Sequence, residues 1–329
     1  MMTDLRPGPA RIQIQTQSGC NGRCVFCPNE ATLKAGLSQG RMDLDLFEKI
    51  VDELAETKPR RISLYLMNEP LLDNRLPDFV RCVAERVPDT STLVTTNGVL
   101  LDESLTESLI DAGLKRIKVS IQSLNPETNM ALMGSACDSR RVVENVLTAQ
   151  RVIKRKRARN MDLRVSTIVT ARNQEEVHEA RRFWSRHGIR LVTSALENRG
   201  GNIADAGLLN PHNMTPMDCN CIRPSREMCV LFNGDVVLCC VDWFRTCIVG
   251  NLEEQSVREV WNGLKLKAIR AALKRDEHAA QPTICQNCAE SAKPDYHRRG
   301  LKGWATRRFG LEKKHECICG GENGAQNAR

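Results

Sequence analysis

The stretch RIQIQTQSGCNGRCVFC, residues 11–27, decides the fold. Its first eight residues, 11–18, read as a strand in which Ile12 and Ile14 supply the apolar side, and the strand empties into a loop carrying Cys20, Cys24 and Cys27. Five more short runs rich in β-branched residues follow at 61–67, 92–98, 116–123, 163–170 and 189–196. Between them lie segments with helical spacing, such as Leu46, Ile50, Val51 and Leu54, or Val142, Val143, Val146, Leu147, Val152 and Ile153. Strand and helix alternate six times. That pattern predicts an α/β fold with a parallel sheet and right-handed crossovers, either a partial (βα)6 TIM barrel or a doubly wound sheet. In both, functional side chains gather at the carboxyl ends of the strands.

The 329 residues suit one large domain with a small one, or two of medium size. Hydrophobic residues at 41% and charged residues at 27% exclude a disordered chain and a membrane bundle. Asp4, Arg6 and Arg11 interrupt the start where a signal peptide needs an apolar run, and no long apolar stretch follows, so a cytoplasmic protein is expected. The 15 cysteines then point to metal or redox chemistry, because a reducing compartment disfavours structural disulfides. A net charge of +8 would attract an anion, but aromatic residues for base stacking are only 4%, so nucleic acid is not indicated.

Three thiolates spaced as in Cys20-Asn-Gly-Arg-Cys24-Val-Phe-Cys27 can hold three corners of a 4Fe-4S cube and leave the fourth iron open to a small molecule. A zinc knuckle missing one ligand is the bland alternative. The loop resembles the radical SAM superfamily signature CxxxCxΦC, met by Cys20, Cys24, Phe26 and Cys27. Asn68-Glu69-Pro70 resembles the family's GGEP motif with Met67 and Asn68 in place of the glycines, Thr96-Asn97-Gly98 resembles its TNG, and residues 119–123 resemble SLDG with Gln122 in place of the acid. The resemblance implies a partial barrel, S-adenosyl-L-methionine (SAM) as cofactor, and SAM-binding roles for Phe26, Asn68, Glu69, Asn97, Ser120 and Gln122.

After Glu197 the texture changes to a Gly- and Pro-bearing linker and a second module. Cys221 is followed, after twelve residues, by Gly234, then four more and Cys239; Cys285-Gln-Asn-Cys288 comes later. Residues 230–232 and 236–238 flank Asn233-Gly234 as a hairpin, and 256–273 reads as one helix. Four cysteines suit zinc or an iron–sulfur cluster. The arrangement resembles the SPASM and twitch extension of radical SAM enzymes, also at Gly250-Asn251-Leu252 and Val260-Trp261-Asn262. Pro294 stands where a full SPASM domain would place its next cysteine, so the resemblance implies one auxiliary 4Fe-4S cluster held by Cys221, Cys239, Cys285 and Cys288, two clusters in all.

The expected organisation is a partial barrel over 1–204, a small iron–sulfur module over 205–292 and a tail over 293–329. No cluster is expected at Cys317 and Cys319 in that tail. Cys82 reads as a small buried hydrophobe, whereas Cys137, Cys240 and Cys247 are candidates to donate a hydrogen atom. Glu197 and Arg199, at the end of the sixth strand, are candidates for substrate binding or proton removal. The basic run from Arg151 to Arg159 reads as a solvated helix end.

With the cluster loop starting at residue 20, no separate leader-binding domain is expected before it. A small polar substrate, a sugar, aminocyclitol or nucleoside, is therefore favoured over a peptide. The resemblance implies oxidation of an alcohol to a ketone with the auxiliary cluster as electron acceptor, and a reductant such as flavodoxin or ferredoxin. A redox-neutral epimerase and a peptide maturase are the alternatives.

Overall fold

In the computed structural model, residues 8–203, 206–209, 221–275 and 277–289 are described. The six expected strands form as β1 (Arg11–Ile14), β2 (Arg61–Ser63), β3 (Ser91–Thr96), β4 (Arg116–Ser120), β5 (Asp162–Val169) and β6 (Arg190–Ala195). Each pairs in parallel with the next, and their order in the sheet is their order in the chain. A doubly wound sheet reverses direction partway across. This one does not, so the winding is that of a barrel, left open between β6 and the far edge.

The helices are α1 (Asn29–Lys34), α2 (Leu44–Thr57), α3 (Leu76–Arg86), α4 (Glu103–Asp111), α5 (Pro126–Met133), α6 (Ser139–Arg155), α7 (Val177–Arg186) and α8 (Ala206–Leu209). Side-chain caps set where several begin: Asp43 accepts from Asp45 N at 2.8 Å, Asp102 from Leu105 N at 2.7 Å and Asn125 from Glu127 N at 2.9 Å. One face of the sheet, with Ile12, Ile14, Ile62, Leu64, Val94, Ile117, Val119 and Val165, is buried in the same core as Phe47, Ile50 and Leu54 of α2, Phe79 and Val83 of α3, and Val142 and Val146 of α6. Alternation turns Gln13, Gln15 and Ser63 to the other face, where all three are still buried. Gly98 closes the turn after β3 at φ +78°, and a Cβ there would stand 2.6 Å from Val119 Cγ1, so both backbone and packing require glycine.

The second module extends the same sheet. Strand β7 (Glu227–Val230) pairs in parallel with β1, and β8 (Asp235–Val237) and β9 (Ile248–Asn251) add antiparallel strands outside it. Three details differ from the sequence reading. The hairpin over 230–238 is closed by four residues rather than Asn233-Gly234 alone. Gly234 N donates to Leu231 O at 3.0 Å, and Leu231 N donates to Asp235 O at 2.8 Å. Strand β9 was not foreseen, because Gly250 and Asn251 are poor strand formers; Asn251 is held instead by its side chain, which donates to Asp235 Oδ1 at 3.0 Å and Asn233 O at 3.2 Å. The single helix expected over 256–273 is two, α9 (Val257–Trp261) and α10 (Leu264–Arg275), broken at Asn262-Gly263. The break is fixed by buried Arg270, which donates to Trp261 O at 2.6 Å and stacks 4.0 Å from the Trp261 ring. A last turn, α11 (Thr283–Gln286), carries the CxxC pair. The tail over 293–329, with Cys317 and Cys319, lies outside the described residues, as does Cys219.

Candidate active site

The cysteine loop is shaped by contacts at both its ends. Gly19, at φ +91°, turns the chain out of the β1 line, and Glu69 N donates to Gly19 O at 2.9 Å, joining the loop to the segment after β2. Farther along, Arg23 N and Val25 N each donate at 3.0 Å to Met133 O and Leu132 O at the end of α5. Cys27 N bonds Cys24 O at 3.0 Å and tightens the last turn, while Phe26 is buried in the core and anchors the loop from beneath.

Burial dominates the chemistry of these thiols. It pushes Cys20 up to about 12 and Cys24 well above the ordinary thiol value, and the neighbouring sulfurs add to the shift of Cys24. Cys27 is raised by burial too, against the lowering influences of the Asn29 N–H and then the Arg199 guanidinium. Clustered thiols that resist ionisation in one another's company suit a cationic metal centre, which deprotonates its ligands outright. Three thiols on one largely buried loop are a donor set whose chemistry suits an iron–sulfur cluster.

Around them the other expected residues converge, in roles that differ. Both oxygens of Glu69 are bound by the chain itself: Oε1 accepts from Leu71 N at 3.0 Å and Thr96 Oγ1 at 2.6 Å, and Oε2 from Asn97 N at 2.7 Å. Glu69 thus ties the ends of β2 and β3 together, with its pKa raised by burial. Asn97 donates to Asn21 Oδ1 at 2.6 Å and steadies the cysteine loop. Gln122 Oε1 accepts from Ile168 N at 2.7 Å, tying the ends of β4 and β5, and Ser120 Oγ lies 3.4 Å from Ser166 Oγ. Asn68 Oδ1 accepts from Leu66 N at 3.0 Å, but its Nδ2 is buried without a protein acceptor, a donor suited to a ligand.

Glu197 and Arg199 form an ion pair of 3.5 Å on the loop after β6. That loop also grips the second thiol site. Asn198 Nδ2 donates to Asn287 O at 2.8 Å and Asn198 Oδ1 accepts from Ala289 N at 2.9 Å. Gly200, at φ +70°, lies so close to the CxxC helix that a Cβ would stand 2.3 Å from Ile284 Cδ1. Asn202 Nδ2 reaches Val241 O at 3.0 Å. One loop therefore bears on both sulfur sites.

In the second site, Cys285 is pushed up to about 12, by burial first and then by the charges of Cys221, Cys288, Cys247 and Asp242. Cys239 enters on the β8–β9 loop, whose shape depends on fully buried Asp242: its carboxylate accepts from Thr246 N at 2.9 Å, Thr246 Oγ1 at 2.8 Å and Cys247 N at 2.8 Å. Cys221 and Cys288 thus neighbour Cys285, and thiols in this company suit an iron–sulfur cluster. Of the hydrogen-donor candidates, Cys137 is buried beside the first cysteine loop, Cys247 is buried in the main core, and Cys240 accepts from Arg223 Nη1 at 3.4 Å. Cys82 is half-buried on α3. In the basic run, Arg155 pairs with Glu103 and Glu107 and Lys156 with Asp111, all at the surface. No helix among the described residues is long and apolar enough to cross a membrane.

Sequence reasoning missed Asp242, Asn198 and buried Asn129, whose amide accepts from Gln122 N at 2.9 Å and donates to Cys137 O at 2.6 Å. Asn198 precedes Arg199-Gly200-Gly201, a turn signal that could have marked it. Asn129 lies within α5 and carries no signal at all.

Comparison with known proteins agrees with this geometry. The radical SAM superfamily model matches residues 14–183, more than half of the chain, and an iron-sulfur cluster-binding domain (SPASM) matches 219–289. An S-adenosyl-L-methionine-dependent 2-deoxy-scyllo-inosamine dehydrogenase from Niallia circulans is 24% identical over 278 residues, 84% of this chain and 91% of that one. A GTP 3',8-cyclase from Aquifex aeolicus is 29% identical over 199 residues, 58% of each chain. The crystal structure of BtrN in complex with AdoMet and 2-DOIA superposes with a TM-score of 0.56 and 22% identity, covering 85% of this chain and 93% of that one, and shows the shared fold.

Proposed function

Because the chain belongs to the radical SAM superfamily, we propose that it is a SAM-dependent dehydrogenase that oxidises one alcohol of an aminocyclitol, or a closely similar small polar substrate, to a ketone. The observation that carries this reading is coverage. The likeness to the inosamine dehydrogenase spans 84% of the chain, whereas that to the Aquifex cyclase stops at 58%.

When bound, the reduced cluster and SAM supply a 5′-deoxyadenosyl radical, and the auxiliary cluster supplies an acceptor for one electron. Oxidation to the ketone would remove a hydrogen atom from the substrate's carbinol carbon, a proton from its hydroxyl and one electron, leaving a product two hydrogens lighter. Cys20, Cys24 and Cys27 hold the first cluster; Cys221, Cys239, Cys285 and Cys288 hold the second. Asn68 Nδ2 and Ser120 Oγ offer polar contacts to SAM, while Glu69, Asn97 and Gln122 keep the strand ends that frame it in place. Glu197 takes the hydroxyl proton, and Arg199, paired with it at 3.5 Å, orients that carboxylate. Flavodoxin or ferredoxin is the proposed reductant.

The test is anaerobic turnover of reconstituted protein with SAM, a reductant and a panel of aminocyclitols, sugars, nucleosides and short peptides. Release of 5′-deoxyadenosine with an aminocyclitol ketone supports the reading. Consumption of a nucleoside or peptide alone would contradict it.

A further inference from the structure

The side of the sheet that faces away from the helices is strongly cationic. Ile117 and Val119 of β4 point into the helix-packed core, so Arg116, Lys118 and Ser120 line the inner side of the barrel. By the same alternation and register, Arg11, Arg61, Arg164 and Arg190 stand on that side, and the carboxylates that β1–β7 set against these cations are Asp162 and Glu227. Both are already taken. Arg11 pairs with Glu227 at 2.9 Å, and Arg116 and Arg164 share Asp162 at 2.8 and 2.6 Å. Arg61, Lys118 and Arg190 have no ion-pair partner among the described residues.

Of these three, Arg61 and Arg190 are the first residues of β2 and β6, at the far end of the strands from the cysteine loop. Lys118 lies within the barrel. It is half-buried, and the pairing of β3, β4 and β5 sets it in one row with Thr95 and Arg164, directly beneath the row of Ser120 and Ser166. Successive rows on one side of a strand are about 6.6 Å apart, a span that a lysine side chain covers. Two hydroxyls on the same side also lack partners among the described residues: Thr95 Oγ1 and Ser63 Oγ are buried without one, and Ser63 is 0% exposed. An ammonium drawn out of water with no counter-ion, beside hydroxyls with no partner, is a site built for an anion that the described residues do not supply.

We infer that Lys118 binds an anionic group of the substrate, and that the substrate is a phosphate monoester of an aminocyclitol or similar polyol. This rests on the dehydrogenase reading and names its substrate class. A phosphate monoester carries about 1.5 to 2 negative charges at neutral pH and three acceptor oxygens. It matches the three donors of an ammonium and a hydroxyl in the same row better than a carboxylate does. A free aminocyclitol brings an ammonium instead, and a cation is disfavoured on a side of the sheet whose own cations outnumber its carboxylates. The row of Ser120, nearer the cysteine loop, stays with SAM.

Reconstituted full-length protein with SAM bound and iron counted is titrated calorimetrically with inorganic phosphate. The unmutated protein should bind it, Lys118→Met should weaken binding roughly 10- to 100-fold, and Lys118→Arg should recover most of that loss. In turnover, the phosphate monoester of an aminocyclitol should exceed the free aminocyclitol in kcat/KM, a preference that Lys118→Met removes through KM with kcat little changed. No phosphate binding by the unmutated protein, unchanged binding in Lys118→Met, or a preference for the free aminocyclitol overturns the proposal. Weaker affinity of Lys118→Met for SAM with phosphate binding unchanged overturns it as well, and would give the lysine to SAM. If Lys118→Met loses iron, Thr95→Val decides: phosphate binding should fall about fivefold, and unchanged binding overturns the proposal. Phosphate binding that depends on Lys118 while no alcohol is oxidised leaves the anion site standing and strikes the dehydrogenase reading, so the two failures stay apart.

Discussion

The two sulfur sites are built in opposite ways. Cys20, Cys24 and Cys27 sit on one loop of eight residues, held by backbone bonds to Leu132, Met133 and the segment at Glu69. The auxiliary cysteines come from three separated segments, and nothing local brings them together. The segments that carry them are joined by Asp242, which shapes the β8–β9 loop, and by Asn198 and Asn202, which bind the CxxC segment and that loop to the end of β6. A site assembled locally survives distant damage. One assembled from remote segments depends on the side chains that join them.

That contrast can be broken or sharpened experimentally. The largest effect belongs to replacing Cys20, Cys24 and Cys27 together by Ala. Reconstituted protein should fall from about eight irons to about four and lose SAM cleavage entirely; iron that stayed near four in the unmutated protein would remove the auxiliary cluster from the account. Next comes Cys285→Ala, for which 5′-deoxyadenosine should still form while ketone disappears, read by chromatography of both products. Asp242→Ala removes three hydrogen bonds to a buried carboxylate, a loss of about 3 kcal/mol in unfolding free energy. Under a chelator its auxiliary iron should leave well before the iron of the first site, and equal loss from both would contradict the division drawn above. The smallest effect is that of Asn198→Ala, about 2 kcal/mol, since three neutral bonds, to Asn287, Ala289 and Gly200, are lost. Both clusters should remain, with a lower ratio of ketone to 5′-deoxyadenosine.

The same contrast explains what could be read from sequence. The first loop was legible because its three cysteines lie in one segment that directly follows a strand, so spacing groups the thiols and the strand end gives their location. The six parallel strands were legible for a similar reason: each carries its own apolar run. The auxiliary module was read from cysteine spacing, but its framework was not. Gly250 and Asn251 conceal β9, Leu231 and Phe232 look like strand while serving in the hairpin loop, and the apolar period over 256–273 runs past the break at Asn262-Gly263. Glu69 and Gln122 were read as facing SAM. Their oxygens are bound to neighbouring strand ends, pairings that no spacing reveals because they join residues 27 and 46 positions apart.

In the proposed reaction the substrate loses two hydrogens and one electron reaches the auxiliary site. This is tested most directly by single-turnover reaction of an aminocyclitol deuterated at its carbinol carbon, with the isotope and product mass followed together. Deuterium should appear in 5′-deoxyadenosine, with one SAM consumed per ketone and no solvent hydrogen on the oxidised carbon. A product of unchanged mass in ordinary water that acquires deuterium from deuterated water would contradict it, and would assign the chain to epimerisation through a cysteine thiol.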